Sequence, residues 1–144
     1  MACPFFIPTE RLEGEFKFPE RLPLGAGFRG VCGAPGQMLA SPTDEELHSH
    51  CNLGHASCAR LPQHRTADAI RFSARTVESQ RISVRYVFEM QCRPAGGGTL
   101  EYDERERRWI SAIADEKLQR QADCFLQAWR ARHRLSAAAA AAHS

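Results

Sequence analysis

The chain has six cysteines in 144 residues, yet no two of them are spaced C-x2-C, so the commonest zinc-ligand signature is missing. Lysine is nearly missing too: the 19 basic residues are 17 Arg and 2 Lys. Such a bias fits bidentate recognition of phosphate or carboxylate, but a GC-rich coding sequence produces it without any function, and that bland origin is the reading taken. Net charge is only +2, too little to argue nucleic-acid binding from global electrostatics. No apolar run approaches a membrane span. The opening "MACPFFIPTERLEGEFKF" has no basic n-region and meets Pro4, Pro8 and acidic residues where a signal peptide needs an apolar stretch. The expectation is a soluble cytoplasmic protein with no membrane partner. Cysteines in that compartment serve as thiols or metal ligands rather than disulfides.

What is present is an ordinary globular balance, 43% apolar and 25% charged residues, which predicts one domain over 1–136 with an Ala-rich tail at 137–144. Seven of the eight prolines and seven of the ten glycines precede residue 63. Residues 1–62 are therefore expected to be loop-rich, with little regular hydrogen bonding of their own. One short helix is expected there, with Ser41 as N-cap, Pro42 at the first helical position and Asp44 completing a capping box, running to Cys51 or Asn52 and stopped by Gly54.

From 63 to 136 the texture is that of a sheet and a helix. "AIRFSARTV" and "RISVRYVFEM" alternate apolar and polar residues, with "ESQ" as the hairpin turn between them. "TLEYD" after the glycine run and a short "RRWI" predict two further strands. "DEKLQRQADCFLQAWRARHRL" places Leu118, Ala122, Phe125, Leu126 and Trp129 on one helical stripe. The fold class is accordingly α+β, a three- or four-stranded antiparallel sheet backed by the C-terminal helix. Cys124 falls about 145° from the centre of that stripe by helical geometry, which predicts that it faces away from the core.

The chemistry concentrates in the N-terminal part. Cys3, Cys32, Cys51 and Cys58 have 28, 18 and 6 residues between successive members, and all lie in the segment poorest in regular structure. Four thiolates meeting there would supply the staple that segment lacks. A structural metal contributes roughly 10 to 16 kcal/mol in favourable cases, as large as the roughly 5 to 15 kcal/mol net stability of a whole domain. Four cysteines supplied singly from loops suit an iron-sulfur cluster of the [4Fe-4S] type, and Cys3 precedes Pro4 as ligand cysteines of bacterial ferredoxins do. Zinc on the same four residues is the alternative.

The stretches "CPFFIPTERL", "RLPLGAGFRGVCGAPG", "CNLGHASCARLP", "GTLEYD" and "QADCFLQAW" resemble a small bacterial protein family with a Cys-Pro N-terminus and a CNLG...C motif, over nearly the whole chain. The family is uncharacterised, so the resemblance implies no activity and no cofactor. Only the spacing of Cys3, Cys32, Cys51 and Cys58 points to a metal.

Rival ligands lie close by: "HSHCNLGHASC" holds His48, His50 and His55 among two cysteines. His48, Cys51, His55 and Cys58 would form a mixed zinc site, whereas His50 points away from His48 by about 200° on a regular helix. Cys92 and Cys124 have no close cysteine partner and are read as non-ligands, Cys92 being the substitute should Cys3 fail. A nucleophile built from Cys58 and His55 would place a thiolate beside a base, but no oxyanion-hole motif or orienting acid accompanies it, so an enzyme using an exposed cysteine ranks third among the readings. Arg71, Arg75, Arg81 and Arg85 share the polar face of the predicted hairpin. With no aromatic residue among them for base stacking, that face reads as solvated and nucleic acid is not the expected partner. The expectation that follows is an iron-sulfur protein in electron transfer, with a redox partner, in redox sensing, or in an accessory role; the alternative is a zinc-stabilised module that binds protein or nucleic acid.

Overall fold

The structure is a computed structural model that describes residues 2–14, 16, 18–53, 58–77, 80–110 and 115–142, the last from 134 on as backbone. Among the described residues, six strands form two antiparallel sheets and the C-terminal part is one helix. The architecture is α+β.

The larger sheet has the order β3 (Ala69–Val77), β4 (Arg81–Met90), β5 (Arg93–Asp103), β6 (Arg108–Trp109). Strands β3 and β4 span the two alternating stretches, because every second residue offers an apolar side chain to one face. Ile82, Val84, Leu100 and Tyr102 are buried on that face with Ala122, Phe125 and Leu126 of helix α2 (Glu116–Ala142), and Phe72 stacks on Phe125 at 5.5 Å. Strand β5 is longer than the expected "TLEYD" and takes in the glycine run, with Gly96, Gly97 and Gly98 opposite Phe88, Val87 and Tyr86. The ladder absorbs the irregularity as a register shift between Phe88 and Glu89. Helix α2 continues through the alanines to Ala142, as their high helix propensity favours.

The N-terminal half, expected to hold one short helix among loops, also carries two strands. Strand β1 (Phe6–Leu12) pairs antiparallel with β2 (Gly27–Cys32), with a register shift between Pro8 and Glu10. Proline hides a strand from a sequence reader but is tolerated beside a bulge, where no ladder N–H is required. This small sheet lies against the opposite flank of α2. Phe6, Leu24, Ala26, Phe28 and Leu47 bury a second apolar cluster with Ile70, Leu118 and Cys124. Helix α2 is thus apolar on two sides, and Cys124, expected to face outward, is buried at 4% exposure.

The short helix also begins two residues later than expected. Thr43, not Ser41, is the N-cap of α1 (Asp44–Glu46): its hydroxyl accepts from Glu46 N–H while the Glu46 carboxylate accepts from Thr43 N–H. A Thr–Glu box outcompetes the Ser41–Asp44 spacing because the longer Glu side chain reaches back to the cap. After Glu46 the coil widens into a π-helical turn, Leu47–Cys51, and the expected stop at Gly54 lies outside the described residues.

Candidate metal centre

Cys3, Cys32, Cys51 and Cys58 line one cavity, and each is set there by a different element. Cys3 is held by its neighbours: Ala2 and Ile70 exchange backbone hydrogen bonds of 2.7 and 2.8 Å, extending the large sheet by one residue, and Cys3 N–H donates to the Cys51 carbonyl at 3.1 Å. The turn after it closes with Phe6 N–H on the Cys3 carbonyl. Gln121, fully buried on α2, donates Nε2–H to both the Cys3 and the Phe6 carbonyls at 2.7 Å.

Cys32 ends β2 opposite Phe6, and its N–H donates to the Ala40 carbonyl at 2.9 Å. The next residue must be small. A Cβ on Gly33 would stand 2.9 Å from both Ile7 Cδ1 and Lys117 Cδ and 3.1 Å from the Phe5 carbonyl oxygen, so a larger residue here would have to displace its neighbours.

Cys51 closes the π-helical turn, and the adjacent Asn52 anchors it. That side chain, 1% exposed, accepts from Phe28 N–H at 3.0 Å and donates to the carbonyls of Phe28 at 3.0 Å and Leu47 at 2.7 Å. β2 and the π-helical turn are thereby tied side to side. Cys58 opens a turn closed by Leu61 N–H on its carbonyl at 3.1 Å. Inside that turn Arg60 reaches Glu46 with Nε at 2.7 Å and Gln37 at 2.8 Å.

The wall between the thiols is mostly apolar, made by Phe5, Phe6, Ala34 and Leu61, with His50 and Arg60 as its polar members. Burial pushes the Cys51 thiol up to about 12, reinforced by the neighbouring Cys3, Cys58 and Cys32. Burial likewise pushes Cys3 up to about 11, with Cys32 and Cys58 adding to it and the backbone N–H groups of Phe5 and Phe6 opposing it. Cys51 therefore feels the other three sulfurs, and Cys3 feels those of Cys32 and Cys58. Arg60 brings the one permanent positive charge on the wall: hydrogen bonding to Glu46 raises its pKa further, and its guanidinium stands within electrostatic reach of Cys32 and Cys58. The same contact holds the Glu46 carboxyl down at about 2.

The donor chemistry fits a thiophilic metal group: four sulfurs from four segments, apolar surroundings and amide N–H groups directed at a sulfur. The free space between them is about 10 Å³, roughly what one water needs. Among the described residues no group of three or more His, Cys, Asp or Glu is arranged to hold a metal ion. The thiols share a cavity wall without being drawn to a point.

The other candidates fall elsewhere. His48 stacks on Phe16 at 4.7 Å and its Nδ1 meets the Asp44 carbonyl at 2.7 Å, away from the cavity lining, whereas His50, set aside on regular helical geometry, lines it. The two histidines still point to different sides of the turn, and it is the side of His50, with Cys51, that meets the cavity. His55 lies outside the described residues, so the mixed zinc site and the Cys58–His55 nucleophile are not drawn. Cys92 is exposed in the β4–β5 turn and Cys124 is in the core; neither lines the cavity, and all six cysteines are free thiols. Arg60, Asn52 and Gln121 were not legible as site residues, since a buried polar anchor has no sequence signature until its partners are known. No helix among the described residues is long and apolar enough to cross a membrane. No family model, curated protein or solved structure matches this chain.

Proposed function

We propose that this protein binds an iron-sulfur cluster of the [4Fe-4S] type through Cys3, Cys32, Cys51 and Cys58. One observation carries the reading: four cysteines separated by 28, 18 and 6 residues line a single cavity. Free thiols have little reason to gather, because each raises the cost of ionising the next. A metal group reverses that cost by taking the thiolates as ligands. Delivery of the sulfurs one at a time from separate segments suits a wide cluster better than the paired ligands typical of zinc.

Such a cluster, when bound, supplies one-electron exchange. What the chain contributes is four sulfurs, an apolar wall that limits water, amide N–H groups facing the Cys3 sulfur, and the Arg60 charge. That charge favours an anionic group in the cavity. Seating a cluster requires the wall to open beyond its present 10 Å³. This small volume is the observation that favours a second reading, a single zinc ion on the same four thiols stabilising a binding module. The proposed role is electron transfer, redox sensing or an accessory function in the cytoplasm; no catalysed reaction is proposed.

The test is anaerobic purification after expression with ample iron and sulfide. The cluster reading expects a brown protein with broad absorption near about 400 nm and about four irons per chain, as cysteine-bound clusters show. A colourless protein carrying one stoichiometric zinc establishes the second reading instead.

A further inference from the structure

The sheet face turned away from α2 carries an open groove of about 760 Å³, lined by Arg75 and Arg85 with Ser73, Ser83, Thr99 and Gly97. Its volume falls in the range of roughly 300 to 1,000 Å³ usual for small-ligand clefts. The ladder fixes the arrangement. Arg85 stands opposite Ser73 on one side and Thr99 on the other, and Arg75 stands opposite Ser83. The two arginines are therefore diagonal neighbours on one face, a spacing of about 7 to 8 Å at the backbone, short enough for both guanidinium forks to reach one ligand. Hydroxyl side chains occupy the positions directly across from each.

Charge distinguishes these two from the other arginines of the face. Arg71 pairs with Glu89 at 3.3 Å and Arg81 with Glu101 at 4.0 Å. Among the described residues the Arg75 and Arg85 side chains make neither an ion pair nor a hydrogen bond, and both residues are exposed. Two like charges on neighbouring strands of one face repel one another, so an anion reached by both is favoured there.

We propose that this groove binds a compact phosphate monoester of mononucleotide size, its phosphate gripped between Arg75 and Arg85 and hydrogen-bonded by the flanking hydroxyls. A monoester carries about −1.5 to −2 charge near neutral pH, which the two unpaired guanidiniums balance. A nucleic-acid backbone would need a longer basic track, and Arg71 and Arg81 of the face are already engaged by carboxylates. The site is separate from the cysteine cavity and does not depend on what that cavity holds.

The test is calorimetric titration of the whole protein with AMP, inorganic phosphate, adenosine and a short single-stranded oligothymidylate. AMP and phosphate should bind saturably and adenosine should not. Arg75→Gln or Arg85→Gln should each weaken AMP about tenfold or more, as loss of a charge-assisted fork predicts, while Arg71→Gln should leave it within about twofold. Circular dichroism verifies that these exposed substitutions leave the fold intact. No saturable AMP binding below about 10 mM, or equal losses in all three variants, would overturn the proposal. Tighter, steeply salt-dependent binding of the oligothymidylate would overturn it in favour of a nucleic-acid surface.

Discussion

Cys3 and Cys51 are weak acids in the folded chain, and their proton affinity makes stability depend on pH in a defined direction. Their folded values, about 11 and about 12, lie above the ordinary 9.0. Below pH 9 both folded and unfolded chains keep these protons and the fold has its full stability. Above pH 9 the unfolded chain releases them while the folded chain does not, so stability falls as pH rises toward 11 to 12. The reduced, metal-free protein should therefore show a urea midpoint that declines steadily above pH 9, and Cys51→Ala should flatten that decline. A metal-loaded sample, whose sulfurs are already thiolates, should not follow it and should release protons on loading; parallel curves for the two samples would show that these thiols are not ligands. Gln121 gives the second prediction at this scale. Replacing it by Leu leaves the Cys3 and Phe6 carbonyls without their 2.7 Å donor, which should cost about 1 to 3 kcal/mol by the penalty for unsatisfied buried groups. The loss should appear in chemical denaturation, with faster amide exchange around residues 3 to 6; an unchanged midpoint would mean that water replaces the amide.

Among the elements, the β4–β5 turn carries visible backbone strain, as do Met38, Leu39 and Arg107 with their own positive φ. Gln91 and Cys92 both have positive φ, 51° and 63°, as a two-residue hairpin between paired Met90 and Arg93 demands. Neither is glycine. Cys92→Gly should stabilise the protein by about 0.5 to 1 kcal/mol through relief of the left-handed conformation, without changing metal content, and destabilisation on thermal melting would contradict this account. Legibility followed local pattern. β3 and β4 were readable to their ends because strict alternation survives burial on one face. The sheet of β1 and β2 was not, because Pro8 and Gly30 suppress the strand signal while long-range pairing supplies the stability. β5 was read short for the same reason, its glycines being paired in the ladder. Cys124 was misplaced because a stripe calculation assumes one buried face, whereas α2 is packed on two sides.

For the whole molecule, the cysteine cavity lies where the separate parts meet: the N-terminus bridged to β3, the end of β2, the π-helical turn after α1 and the segment entering the large sheet. Spacing in the sequence was enough to pick the four cysteines that share it, because only those four fall in the segment before β3. It was not enough to place His50 or Arg60, whose positions depend on the π-helical turn and on the Glu46 contact. A group bound by all four sulfurs would close loops of 28, 18 and 6 residues at one point, so the small sheet should lose order when any one ligand is removed, while the large sheet and α2 retain their own apolar cluster. The most direct measurement is metal content, paired with limited proteolysis, across the six single Cys→Ser variants purified anaerobically. Cys3→Ser, Cys32→Ser, Cys51→Ser and Cys58→Ser should each lose most of the metal and become cleavable before Pro62, while Cys92→Ser and Cys124→Ser keep theirs; a filled site in Cys3→Ser with an empty one in Cys92→Ser, or no loss in any variant, would contradict the four-cysteine site.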